Sequence, residues 1–171
     1  MFKLVKLFLF SSVIIIISSC GYHSGSIAHP QIRTIAFSPV INETYLPLGS
    51  AYMRQSLSEA FQRDGSWKVV SIEKADCIMY SRIVNVVIAA PDITIPQNSI
   101  NYFTTQFGIT VYFEFTIIIP GRPQPLVPTT QVSGQVQYQV PVDYYVSQEV
   151  AFQQACYEAA LNAASTSTES W

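Results

Sequence analysis

Two stretches in the second half of the chain alternate between apolar residues and polar or small ones. Every second residue from 107 to 119 is apolar, namely Phe107, Ile109, Val111, Phe113, Phe115, Ile117 and Ile119. The second stretch has the same pattern at Val132, Val136, Tyr138 and Val140, with Gly134 among them. A period of two residues is typical of a strand with one buried face. We therefore predict two long strands, joined by a proline-rich connection ending near Pro128, whose apolar rows face one layer of helices.

Two other segments have the period of an amphipathic helix. Residues 48–64 place Met53, Leu57, Ala60 and Phe61 on one face, and Gly65 ends the segment. In residues 146–164 an apolar stripe is expected along Val146, Val150, Tyr157, Leu161 and Ala164. Residues 165–171 are polar apart from the final tryptophan, and we expect a frayed, disordered tail there.

Shorter β-rich runs complete the pattern. They cover residues 31–38, 67–72 and 77–88. In the last of them, Val84, Val86 and Ile88 are expected to share one side of the strand. The order of strand, helix, strands and helix predicts an α+β domain over residues 31–164. This domain is a two-layer sandwich, with two helices packed on one face of a mixed, mostly antiparallel sheet of about four strands.

The first nineteen residues have the arrangement of a secretory signal peptide. Lys3 and Lys6 precede an apolar run that is shorter than the roughly 20 residues of a spanning helix. The sequence Ile-Ser-Ser-Cys that ends at Cys20 resembles a lipobox, the cleavage site of bacterial lipoproteins. This resemblance implies a diacylglycerol on the Cys20 thiol and an acyl chain on its freed amine, and residues 20–30 become a lipid-anchored tether. By similarity to sorting rules in enteric bacteria, Gly21 favours the outer membrane.

The charge balance restricts the class of partner. The chain carries 9 basic and 11 acidic residues, and removal of Lys3 and Lys6 with the signal leaves a net charge of −4. Because there is no basic run, nucleic acid is not an expected partner. Charged residues make up 12% of the chain, against about 25% in globular proteins. Either a partner covers part of the surface, or Gln, Ser, Thr and Tyr solvate it.

Groups that could carry chemistry are few. Both histidines fall in the tether, and the sequence has no CxxC motif, metal-ligand spacing, nucleophile elbow or paired-carboxylate motif. Asp76 and Asp143 lie at strand ends, where acidic residues commonly form turns. We therefore expect no enzyme, no metal and no cofactor other than the lipid. Cys77 and Cys156 could form a disulfide or remain as small buried thiols, and the sequence leaves both possibilities open.

Several short motifs accompany this order of elements along nearly the whole mature chain. They are CGYH at 20–23, IRTIAF at 32–37, NETY at 42–45, AD at 75–76, IIPGR at 118–122 and SGQVQY at 133–138. Together they resemble the LptE family of lipopolysaccharide-assembly lipoproteins. Members of that family have two helices on one face of a four-stranded sheet. They plug the large outer-membrane β-barrel LptD, help it assemble and contact lipopolysaccharide on its way to the outer leaflet.

The resemblance implies a non-enzymatic protein, lipid-anchored at the periplasmic face of the outer membrane. Its expected partners are an LptD-type β-barrel, lipopolysaccharide and, through the anchor, the membrane. The candidate barrel contacts are polar residues of the two long strands, namely Tyr112, Glu114, Gln135, Gln137 and Gln139. A surface in a hydrated lumen needs hydrogen bonds without unpaired charge, whereas an ordinary solvated sheet face would carry Lys and Glu.

The chain departs from the family in its basic residues. Family members bind the phosphates of lipid A through basic side chains. In this chain, residues 91–101 and the start of the last helix contain no Lys or Arg. Arg122 is the remaining candidate for a lipopolysaccharide contact, through a bidentate bond to phosphate. The alternative is a loop arginine in solvent.

A second hypothesis on function is consistent with the same anchored α+β architecture. Auxiliary lipoproteins of lipid transporters or of cell-wall synthases are also small, anchored α+β domains. The protein that co-purifies with this chain distinguishes the two hypotheses.

Overall fold

The computed structural model describes residues 29–90, 106–139 and 144–169, with side chains of the last segment from residue 147. The predicted signal peptide, Cys20 and residues 91–101 lie outside this part of the chain. The strands are β1 (Thr34–Phe37), β2 (Ile41–Asn42), β3 (Lys68–Val69), β4 (Cys77–Ala89), β5 (Gln106–Ile118) and β6 (Val127–Gln139). The helices are α1 (Gly49–Asp64) and α2 (Tyr144–Thr168), with a 3-10 turn at Ile72–Lys74.

One mixed sheet forms the frame of the molecule. Its order is β3-β1-β4-β5-β6, and β2 pairs with β4 off this path. The pairs among β1, β2, β3 and β4 are parallel, whereas β4, β5 and β6 form an antiparallel meander. The predicted α+β architecture is confirmed. The sheet is larger than the expected four strands or so, partly because the two-residue strand β2 is not among the predicted strands.

The long central strand β5 follows its predicted alternation. The side chains of Ile109, Val111, Phe113, Phe115 and Ile117 are at most 1% exposed, whereas the residues between them are half-buried. The buried row belongs to the hydrophobic core that the two described helices cover. Burial of this row stabilises the folded state by about 25 cal/mol for each Å² of apolar surface removed from water. The row also determines which face of the strand points inward.

The pattern predicted for β4 is wrong in one place. A bulge between Ile83 and Asn85 inserts Val84 as an extra residue, so the side-chain phase changes there. As a result Ile83 and Val86 are both buried under the helices, and Val84 does not share their side. A period count along the sequence cannot detect the inserted residue.

Helix α1 has the buried face that its spacing predicts. Met53, Leu57, Ala60 and Phe61 are all 0% exposed. The helix ends at Gly65, which has a φ of 73° and donates its N–H to the carbonyl of Phe61 at 3.0 Å. Glycine suits this left-handed position because it has no Cβ to clash with the backbone.

The predicted apolar stripe on α2 is confirmed at Ala164, which is 2% exposed, but it is wrong for most of its larger residues. The side chain of Val146, also predicted for this stripe, lies outside the described residues. Val150 is 61% exposed, and Tyr157 and Leu161 are only half-buried. The buried face consists mainly of small residues, namely Ala151, Phe152, Ala155, Cys156, Ala159, Ala160, Ala163 and Ala164. Small side chains allow the helix axis to lie close to the sheet, and alanine also has the highest helix propensity.

The end of α2 also differs from the prediction. The helix continues to Thr168, so residues 165–168 are not a frayed tail. The hydroxyls of Ser167 and Thr168 donate to the carbonyls one turn earlier, at 2.6 and 3.0 Å, and both residues are buried. These bonds satisfy the polar side chains inside the helix, which hydrophobicity alone does not reveal.

The two remaining cysteines are free thiols in this structure. Cys77 and Cys156 are each 0% exposed, and burial raises the pKa of both thiols to about 12. Within the described residues, no helix is both long and apolar enough to cross a membrane.

Candidate docking face

One side of the sheet is covered by neither of the two described helices, and we call this side the open face. It is formed by the residues of β4, β5 and β6 that alternate with the buried rows. On β4 these are Tyr80, Arg82, Asn85 and Val87, on β5 they are Thr110, Tyr112, Glu114 and Thr116, and on β6 they are Gln131, Ser133, Gln135, Gln137 and Gln139. All five candidate barrel contacts therefore lie on one continuous surface, although they come from separate strands.

Cross-strand register determines which of these side chains are neighbours. Tyr112 lies opposite Ser133, Thr110 opposite Gln135 and Gly108 opposite Gln137. The amide of Gln106 donates to the side-chain oxygen of Gln137 at 2.8 Å. The glutamines on β6 are exposed and the residues on β5 are half-buried. The arrangement presents amides and hydroxyls that can both donate and accept hydrogen bonds.

A charged cluster interrupts this neutral surface at one position. Arg82 lies directly opposite Glu114 in the β4–β5 register, and its guanidinium bonds one oxygen of that carboxylate at 2.8 Å. A second bond, of 3.2 Å, joins Arg82 to Glu43, which follows β2. The hydrogen bond that Arg82 donates to Glu114, together with the negative charges of Glu114 and Glu43, raises the pKa of Arg82.

Sequence reasoning selected Glu114 but missed Arg82. The signal was present, because Tyr80 and Arg82 have the opposite phase to the apolar Met79 and Ile83. The pairing depends on the register between β4 and β5 and on the position of β2, neither of which the sequence pattern specifies.

Arg122 lies in the turn between β5 and β6, at the end of the sheet where the chain enters β1. Its backbone N–H bonds the carbonyl of Ile119 at 3.0 Å, and Gly121 has a φ of 83°. Proline followed by a glycine with positive φ is typical of a type II turn. The side chain of Arg122 is exposed.

Three of the motifs behind the family resemblance build turns and strand ends. The side chain of Asn42 accepts the N–H and hydroxyl of Thr44 and donates to the carbonyl of Leu46 at 2.8 Å, which forms the NETY loop. The carboxylate of Asp76 accepts the N–H groups of Arg33 and Thr34 at 3.0 and 2.9 Å. Arg122 follows the glycine of the IIPGR turn. These motifs therefore carry information about the fold.

Asp76 has the structural role expected of an acidic residue at a strand end. The N–H of Arg33, with the hydroxyl and N–H of Thr34, holds the pKa of Asp76 below its ordinary value. These bonds join the start of β4 to the start of β1. In the described segments, no group of three or more His, Cys, Asp or Glu side chains could hold a metal ion.

A separate groove lies at the other end of the helix layer. Tyr45, Leu46, Pro47, Gln148, Glu149 and Phe152 line it, and its volume is about 480 Å³. It lies beside the N-terminus of α1, whereas the Arg122 turn is near the C-terminal end of that helix. A helix of 16 residues is about 24 Å long, so the two features are well separated.

No protein-family model and no curated protein matches the sequence. Several solved structures resemble it in fold. Protein XCC0632 of Xanthomonas campestris, of family DUF330, has a TM-score of 0.54 and 9% identity over 81% of this chain and 88% of that one. The hypothetical protein CT253 of Chlamydia trachomatis has a TM-score of 0.51 and 8% identity over 78% and 96% of the two chains.

A minor lipoprotein of Acinetobacter baumannii is also similar, with a TM-score of 0.49 and 10% identity over 81% of this chain and 93% of that one. At such low identities these likenesses concern the fold alone. The two structures with TM-scores above 0.5 relate the chain to a fold found in other bacterial proteins, and they assign no activity to it.

Proposed function

We propose that this protein is an outer-membrane lipoprotein of the LptE type. Anchored through lipid on Cys20, it would plug and help assemble an LptD-type β-barrel and support insertion of lipopolysaccharide into the outer leaflet. The lipobox-like sequence before Cys20 and the family motifs support the location and the class of partner. The open face is the observation that carries the plug hypothesis.

The open face fits a hydrated lumen for a physical reason. Its strands have 13 residues each and are therefore about 40 Å long, and glutamine, serine, threonine and tyrosine cover most of the surface. Such groups exchange hydrogen bonds with water for hydrogen bonds with a partner at little net cost. Unpaired charges would lose hydration without compensation, and the charges on this face are paired.

Direct binding of lipopolysaccharide rests on a single side chain. The exposed guanidinium of Arg122 can make the bidentate bond that phosphate favours. The apolar groove is near the other end of α1, so one lipid headgroup at Arg122 would not bring its own acyl chains into that groove. In the proposal, barrel binding is therefore the main activity and Arg122 an additional contact. Arg122→Ala should weaken binding of purified lipopolysaccharide, and unchanged binding would remove Arg122 from the proposal.

The first experiment is affinity purification of the full-length protein from detergent-solubilised membranes through a C-terminal tag. The wild type should recover a large β-barrel in stoichiometric amount, identified by mass. A double variant, Gln135→Lys with Gln137→Lys, should recover about tenfold less or lower still, because it places two unpaired charges on the open face. The matched control is Gln62→Lys with Gln153→Lys, which adds the same charge on exposed helix surfaces.

Two results would contradict the proposal. If both double variants recover the barrel as well as the wild type does, the open face is not the docking surface. If the wild type recovers an inner-membrane transporter or a cell-wall synthase and no barrel, the auxiliary-lipoprotein hypothesis replaces the LptE-type function.

A further inference from the structure

The two edges of the sheet are built differently. The β3 edge has only two residues, Lys68 and Val69, and the lysine is exposed. Short edge strands and exposed lysine are common devices that prevent unwanted strand pairing. The β6 edge is 13 residues long and has no charged residue, and its only proline is Pro128, next to its start. The sequence of β3 therefore protects its edge against strand pairing, whereas β6 has no such feature apart from Pro128.

The backbone of β6 offers a row of hydrogen-bonding groups at this edge. Ser133 lies opposite Tyr112, yet its carbonyl accepts the side-chain amide of Asn162 on α2 at 2.7 Å, so this carbonyl points away from β5. Backbone groups alternate in direction along a strand. Gln131, Gln135, Gln137 and Gln139 share this phase, so their N–H and C=O groups also point outward. Among the described strands, none lies beyond β6.

We propose that β6 is a strand-addition site, to which the barrel partner contributes an extended, uncharged segment. This inference rests on the proposed function and specifies how the two proteins join. A partner strand would continue the sheet from β6, bonding the outward groups on either side of Ser133. Main-chain bonds would supply affinity, and the neighbouring side chains would supply specificity.

Two observations favour this occupant. The edge is continuous with the open face, because the same odd-numbered residues of β6 present side chains to that face and backbone groups to the edge. The edge is also neutral over residues 129–139, so a charged strand would lose hydration there without a counter-charge. Asn162 occupies one carbonyl at the middle of the edge, and an incoming strand would share or replace that single bond.

The test separates the backbone from the side chain at one position. Gln135→Pro removes an outward N–H, whereas Gln135→Thr removes the same side chain and keeps the N–H. Proline is tolerated on an edge strand where its nitrogen faces away from the ladder. In the tagged full-length protein, Gln135→Pro should recover about tenfold less barrel than Gln135→Thr. If the proline variant unfolds at a lower temperature than the threonine variant, the same pair of substitutions is compared at Gln139, at the end of the strand.

The outcomes distinguish this proposal from the function on which it rests. Equal recovery of the barrel by the folded proline and threonine variants would overturn strand addition and leave barrel binding intact. A wild-type protein that recovers no barrel would overturn both. A third outcome is that the tagged wild-type protein recovers an untagged second copy, and that the proline variant loses this second copy but still recovers the barrel. That outcome would assign the β6 edge to self-association, and the barrel segment would no longer be its occupant.

Discussion

Asp76 illustrates how a single side chain can hold two strand ends together. Its carboxylate bonds two backbone N–H groups of the chain entering β1, and Thr34 Oγ1 accepts the N–H of Asp76 at 2.9 Å. The residue is exposed, so each bond competes with water. Its contribution to stability is therefore modest, but it depends on pH in a defined direction.

Asp76→Ala should lower the free energy of unfolding by about 1 kcal/mol at pH 7. Because the folded state lowers the pKa of Asp76, its stabilisation is present above the unfolded value of about 3.9. It is lost as the pH falls through the lower folded value. Urea unfolding of wild type and variant between pH 7 and pH 2 measures the difference. A difference that does not shrink in acid would contradict the carboxylate role.

Gly134 marks a place where the backbone of α2 lies very close to the sheet. A Cβ added there would lie 2.1 Å from the carbonyl oxygen of Ala155 and 2.3 Å from the nitrogen of Ala159. Both atoms belong to the backbone, so relief requires α2 to move. Glycine is required at position 134 because any Cβ would clash with the backbone of α2. The residues of α2 that face it are small because the helix lies so close to the strand.

We expect Gly134→Ala to destabilise the fold by about 3 kcal/mol. The matched control is Gly108→Ala on β5, where the added Cβ meets, among the described residues, only the carbonyl of Ala89 at 3.8 Å. That variant should unfold within about 1 kcal/mol of the wild type. Thermal unfolding of both variants measures the contrast, and equal midpoints would mean that α2 does not pack on Gly134.

At the level of elements, β4 and β5 carry the charged cluster of the open face. The pair of Arg82 and Glu114 is exposed enough for water to screen it, so it adds little to folding. Inside a partner the same charges would be desolvated. Removal of one member would then leave the other unpaired, which is costly.

Arg82→Ala should therefore leave the unfolding midpoint nearly unchanged while reducing recovery of the barrel. Lys68→Ala, on the opposite edge, removes one positive charge from an exposed site and should affect neither. Co-purification and thermal unfolding are measured on the same preparations. If the two variants recover equal amounts of barrel, the cluster does not take part in docking.

At the scale of the whole molecule, the buried apolar residues of the described segments form one core, and Cys77 and Cys156 both lie in it. Burial raises the pKa of Cys77 and Cys156 to about 12, so neither forms a thiolate at neutral pH. The unfolded thiols ionise near pH 8.5. The stabilisation that comes from keeping these thiols neutral is complete below that pH and declines as the pH rises toward the folded values.

A soluble form that begins at residue 21 should react with a thiol reagent very slowly when folded and at two sites when denatured, without any reductant. Its stability should also decrease between about pH 8.5 and pH 12. Mass spectrometry counts the labelled sites. Absence of labelling in denaturant, reversed by reduction, would mean that the two cysteines form a disulfide.

Local patterns were enough for the elements that bury one regular face. The period-two row of β5 and the buried face of α1 are read directly from spacing, because each side chain's direction follows from its own backbone geometry. The same spacing failed for α2, where alanines bury the face that larger residues were expected to bury. It also failed at the β4 bulge, because one inserted residue changes the phase without altering composition.

The sequence by itself determined the α+β class, the long strands and the uncharged polar rows, and it contains the lipobox-like segment before Cys20, since these are properties of neighbouring residues. Only the tertiary structure decided that the polar rows form one face, that Arg82 binds Glu114 and that Gly134 gives α2 room to pack on the sheet. It also decided that β6 is the outermost of the described strands on its side of the sheet. Each of these depends on strand order, register or helix position. Those quantities arise from contacts between residues far apart in the chain, which no local period encodes.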